Sequence, residues 1–97
     1  MQGTHLSSER INDNIEMEVF AAYKDLHKRG VLHGDIRKEN LLVLEDESVR
    51  IIDFDNACIL PVDDAEQMIM REDEEIMSML KQLRSDRGSW VQNGSSH

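Results

Sequence analysis

Apolar positions recur with a helical period from Asp13 onward: Ile15, Val19, Tyr23 and Leu26 follow one another at steps of three and four, with Phe20 and Ala22 beside them. This predicts a helix from Asp13 to Arg29. Asp13 and Glu16 have the DxxE spacing of a capping-box-like start. Lys24, His27, Lys28 and Arg29 crowd the carbonyl end of the helix dipole, and Gly30 can take the left-handed conformation that closes a helix. The period then shortens. Val31-Leu32 is a brief apolar run; Leu41-Leu42-Val43-Leu44 and Val49-Arg50-Ile51-Ile52, separated by Glu45-Asp46-Glu47-Ser48, read as a hairpin with a four-residue acidic loop.

Beyond Pro61 the helical period returns. Asp63 and Glu66 repeat the DxxE signal, and Ala65, Met68, Ile69, Ile76, Met77, Leu80 and Leu83 predict a second helix with its acids early and Lys81, Arg84 and Arg87 late. Periodicity weakens across Glu72-Asp73-Glu74-Glu75, where a kink is expected and the acids read as a solvated face. The methionines read as core filler. The polar residues 1–12 read as a flexible lead-in, 13–87 as the folded unit, and 88–97, rich in Gly, Ser and Asn, as a disordered tail apart from Trp90. Together these elements predict an α+β fold.

Ninety-seven residues allow one small domain with a modest core. The formal charge of −9, from 11 basic and 20 acidic residues, repels a phosphate backbone and argues against a nucleic-acid partner. Cys58, the single cysteine, cannot form an internal disulfide and reads as a small buried hydrophobe; His27 and His33 straddle a helix end and do not suggest a zinc pair. The first ten residues lack the apolar stretch of a signal peptide, and no apolar run approaches the roughly 18 residues of a membrane span. The expectation is an intracellular, cytoplasmic protein with no membrane partner.

Chemistry concentrates in His33-Gly34-Asp35-Ile36-Arg37-Lys38-Glu39-Asn40 and, after the hairpin, Ile51-Ile52-Asp53-Phe54-Asp55. In an antiparallel hairpin the start of the first strand lies beside the end of the second, so chain order alone brings Asn40 and Asp53 together. The joint pattern of an apolar run, HxDxxxxN, a hairpin and an apolar-apolar-DFD turn resembles the protein-kinase superfamily over residues 14–60. The resemblance implies part of a kinase C-lobe (helix, catalytic loop, hairpin, C-terminal helix) without the N-lobe. It also implies phosphoryl transfer from Mg-ATP to a hydroxyl-bearing acceptor. Asp35 would be the general base, Arg37 would offset charge on the transferred group, and Asn40 and Asp53 would hold Mg²⁺ and through it the nucleotide; His33 would organise the loop.

The chain departs from the protein-kinase pattern twice. Gly34 stands where HRD has Arg, and Asp55 where DFG has Gly, which is more similar to small-molecule phosphotransferases and to atypical fungal-type kinase-like proteins. No GxGxxG loop, VAIK-like lysine, paired αC glutamate or APE is present, and their loss is expected to weaken nucleotide binding. The alternative reading is therefore an inactive kinase remnant serving as an interaction module, its exposed apolar surface covered by self-association or by a protein partner.

Overall fold

The computed structural model describes residues 3–61 and 63–95. Two helices run antiparallel, a three-stranded sheet packs against the first, and a two-stranded ladder closes the end that carries the catalytic-loop motif. The fold is the α+β segment of a C-lobe that the sequence predicts.

Helix α1 spans Asp13–Lys28. Its cap is Asn12 rather than Asp13: the Asn12 side chain accepts from the Ile15 amide at 2.8 Å, satisfying one of the first-turn donors. Gly30, at φ +81°, supplies the left-handed turn beyond the Arg29 cap. Buried Ile15, Val19, Tyr23 and His27 form a stripe at strict four-residue spacing.

Strands β3 (Leu41–Leu44) and β4 (Val49–Ile51) form the expected hairpin, with Leu41 opposite Ile51 and Val43 opposite Val49. Strand β1 (Gly3–His5) pairs with the other edge of β3, Gly3 opposite Leu44 and His5 opposite Leu42. Residues 3–12 thus differ from the expected flexible lead-in. β3 would otherwise present an open row of backbone donors and acceptors, and Leu6 and Ile11, isolated in the sequence, complete the core at 2% and 0% exposure. A strand of three exposed residues has no alternation to reveal it.

Strand β2 (Val31–Leu32) pairs antiparallel with β5 (Cys58–Ile59), a two-residue strand between the DFD turn and Pro61. Cys58 is exposed on this short ladder, not buried as its apolar neighbours suggested; both residues of β5 face solvent.

Helix α2 spans Ala65–Ser95. It is continuous through 72–75, where a kink was expected, because Glu72 belongs to its buried stripe with Ile76, Leu80 and Leu83. It also continues through most of the expected disordered tail, since propagation adds one hydrogen bond per residue once a helix is nucleated; the Trp90 side chain and residues 96–97 lie outside what is described. Met70 and Met77 are exposed rather than core filler. Arg84 ties α2 to the start of α1 through Glu16 at 2.7 Å and Asp13. The core unites Leu6, Ile11, Leu41 and Val43 with the apolar members of the two stripes, Ile15, Val19 and Tyr23 on α1 and Ile76, Leu80 and Leu83 on α2.

Candidate catalytic loop

The segment 33–40 hangs between β2 and β3 and ends in a 3-10 turn at Lys38–Asn40. His33, fully buried, holds both ends of the site. Its Nδ1 accepts from the Asp35 amide at 3.2 Å, so its Nε2 donates to the Ile52 carbonyl at 2.9 Å. Tyr23 and Phe54 meet its ring edge-on, with centroids 6.2 and 5.1 Å away, joining α1, the loop and the DFD turn in one aromatic column. Gly34 sits at φ +86°, and a Cβ there would lie 2.2 Å from the Asn56 carbonyl oxygen. The loop can approach the DFD turn this closely only without a side chain.

The structure brings Asp35, Arg37 and Asn40 together. Asn40, buried at 5% exposure, donates its amide to the Asp35 backbone carbonyl (2.9 Å) and to Asp35 Oδ2 (3.1 Å), while Arg37 Nε reaches Oδ1 at 3.0 Å. The Asp35 carboxylate is thereby aimed outward, fixed on both oxygens. Asp53 stands at the neighbouring end of the hairpin, because the Ile52 amide donates to the Asn40 carbonyl at 2.9 Å. It holds φ at +61°, a left-handed conformation costly for a residue with a Cβ and typical of functional turns. Its carboxylate is exposed, and the Asp55 amide reaches one oxygen at 3.4 Å. Asn40 spends its amide group on Asp35, which leaves Oδ1 for a ligand. Asn40 and Asp53 therefore present oxygen donors of the kind a hard divalent cation takes.

Glu72 was missed by the sequence reading, which placed it on a solvated acidic face. It is buried at 4% exposure, and its carboxylate accepts from His27 Nε2 (2.7 Å), the His33 amide (3.1 Å) and the Gly34 amide (2.9 Å). A buried carboxylate needs such donors, and here they are the backbone of the catalytic loop. The signal was in the spacing: stepping back four residues from Ile76 reaches Glu72, and stepping on four from Tyr23 reaches His27. Both stripes end in polar residues that meet. The Tyr23 hydroxyl is buried with no hydrogen-bond partner among the described residues, and burial, then the charges of Glu72 and Asp35, push its ionisation above the ordinary tyrosine range.

An α-helix, a loop whose Asp is braced by an Asn five residues on, a hairpin returning a second Asp, and a helix anchoring the loop from behind define the catalytic segment of a kinase-like C-lobe. The chain belongs to the protein kinase domain family, whose sequence profile matches residues 2–83. Among curated proteins it is similar to rat (Rattus norvegicus) 3-phosphoinositide-dependent protein kinase 1, 39% identical over 46 residues that cover 47% of this chain and 8% of that protein. The mouse (Mus musculus) PAS domain-containing serine/threonine-protein kinase is 37% identical over 43 residues, 44% of this chain and 3% of that one. The mouse hormonally up-regulated neu tumor-associated kinase is 43% identical over 37 residues, 38% and 5%. The chain thus spans less than a tenth of the length of these relatives. No solved structure matches it significantly. No helix among the described residues is long and apolar enough to cross a membrane.

Proposed function

We propose that this segment carries phosphoryl transfer from Mg-ATP to a hydroxyl-bearing acceptor, in an intracellular, cytoplasmic setting. The observation that carries the reading is the Asp35 carboxylate, braced by Asn40 and Arg37 beside the left-handed Asp53 turn. Asp35 takes the acceptor's hydroxyl proton as the acceptor oxygen bonds to the γ-phosphorus. The bond from that phosphorus to the β,γ-bridging oxygen breaks, and ADP leaves with the electron pair. Arg37, half free of its carboxylate partner, offsets charge on the transferred group. Asn40 and Asp53 would hold Mg²⁺, whose charge neutralises the phosphate oxygens.

Thermal unfolding with and without Mg-ATP, together with a phosphate-transfer assay, tests this. At about 100 times Kd the nucleotide adds roughly 2.7 kcal/mol, a rise of about 10 °C for a domain of this size. Asp53→Asn is expected to lose the shift; Asp35→Asn is expected to keep it and lose transfer. A shift that survives Asp53→Asn, or transfer that survives Asp35→Asn, refutes the assignment. A cooperative transition indifferent to Mg-ATP would favour the non-catalytic interaction module.

A further inference from the structure

We propose that a second copy of this chain docks in the groove between α1 and α2, forming a two-fold dimer. The proposal stands apart from the catalytic reading. The groove has a volume of about 530 Å³ and is walled by Phe20, Ile69 and Met77, with His27, Lys24, Lys28 and Asp73 completing its lining. Past Phe20 and Met77 it continues toward Leu80 and Lys81. Phe20 is 39% exposed and Met77 52%, so substantial apolar surface faces water here.

Charge selects the occupant. In a chain of net charge −9, the groove and its continuation are bordered by Lys24, Lys28 and Lys81, none of which forms an ion pair among the described residues, whereas the two acids that also line them are engaged, Asp73 beside His27 Nδ1 at 3.7 Å and Glu16 with Arg84 at 2.7 Å. The groove therefore favours an acidic surface with an apolar centre. The chain carries such a surface on the outward side of the first half of α2, where Glu66, Met70 and Glu74 follow at four-residue steps and Met70 is 62% exposed. Groove and acidic face adjoin on the same helix. Each copy thus holds both halves of one contact, and a two-fold axis satisfies them twice: Met70 of each copy enters the other's groove, with Glu66 and Glu74 beside Lys24 and Lys28. Methionine's flexible thioether suits both the entering side chain and the wall.

Sedimentation velocity of the full chain, from low micromolar to several hundred micromolar, reads the result directly. The expected weight-average mass rises from the monomer toward twice that value. Met77→Glu is expected to abolish the rise, and Lys24→Glu with Lys28→Glu to weaken dimerisation roughly tenfold or more. Adding Glu66→Lys and Glu74→Lys to that double variant restores the dimer, because every copy then carries the reversed pairs. All these positions lie on the surface, so far-UV circular dichroism should match the wild type. A monomer at every concentration overturns the proposal and leaves the groove to another occupant. A dimer indifferent to the substitutions, or one the charge swap fails to restore, also overturns it.

Discussion

Replacing Glu72 with Ala is predicted to loosen the catalytic loop by an amount that follows from three hydrogen bonds. The His33 amide, buried and donating to Oε1 at 3.1 Å, would be left without an acceptor, at a cost of about 1–3 kcal/mol. The Gly34 amide belongs to an exposed residue, so water can replace part of its bond and it adds less. His27 loses its 2.7 Å partner while remaining buried, and the one methylene lost removes roughly 0.8 kcal/mol more. The sum, about 3–5 kcal/mol, agrees with the usual cost of breaking a buried pair from one side. It is a large part of the 5–15 kcal/mol that holds a typical domain together. Urea denaturation of wild type and variant measures the total, and hydrogen exchange at the His33 and Gly34 amides locates it. Glu72→Gln, which keeps one acceptor oxygen but turns an NH₂ toward a donor, should fall between the two. A loss below about 1 kcal/mol with loop amides still protected would refute the role assigned to Glu72.

Gly34→Ala should lower stability by about 1–2 kcal/mol or more, and with it abolish the proposed transfer activity, because its left-handed φ excludes a Cβ that would also strike the Asn56 carbonyl; an equally stable variant would contradict the close approach. Tyr23→Phe should be neutral or stabilising by about 1 kcal/mol in urea denaturation, since it deletes a buried hydroxyl with no partner, and a clear loss of stability would mean that the hydroxyl is bonded. Tyr23 is the only tyrosine, so phenolate absorbance follows it alone. Its folded-state ionisation is raised, so above about pH 10 the unfolded chain releases a proton that the folded chain retains, and stability should fall with rising pH; phenolate should appear together with unfolding. Phenolate forming in the intact fold would contradict this. Leu6→Ala should cost about 2–5 kcal/mol in thermal or urea unfolding if the N-terminal segment is core, and a value near zero would return it to the status of a lead-in.

Both helices and the hairpin were legible because each repeats its period over enough residues to register. So was the pairing of Asn40 with the Asp53 turn, which follows from chain direction alone. β1 and β5 were not, for strands of three and two residues exist only because a partner edge is present. Glu72 was hidden by its neighbours: three of the four acids in 72–75 are exposed, and reading them as a block obscured the one that the four-residue stripe turns inward. Cys58 failed for the opposite reason. Its apolar neighbours suggested burial, but the helices pack on β2, and both residues of β5 are left exposed.

The bonds from Glu72 span 45, 39 and 38 residues of chain. In a chain emerging from the ribosome, His33, Asp35 and Asn40 are exposed well before Glu72 is made, and α1 and the hairpin can form meanwhile from nearer contacts. The loop then waits. Long-range closure is the slow part of folding, so the His33 and Gly34 amides gain their acceptor only when α2 docks, as one of the last events of assembly. An unfinished chain would therefore carry every residue of the HxDxxxxN motif and still lack the carboxylate that anchors the start of its loop. Completion of the second helix sets the moment at which that loop is first tied to the rest of the fold from behind.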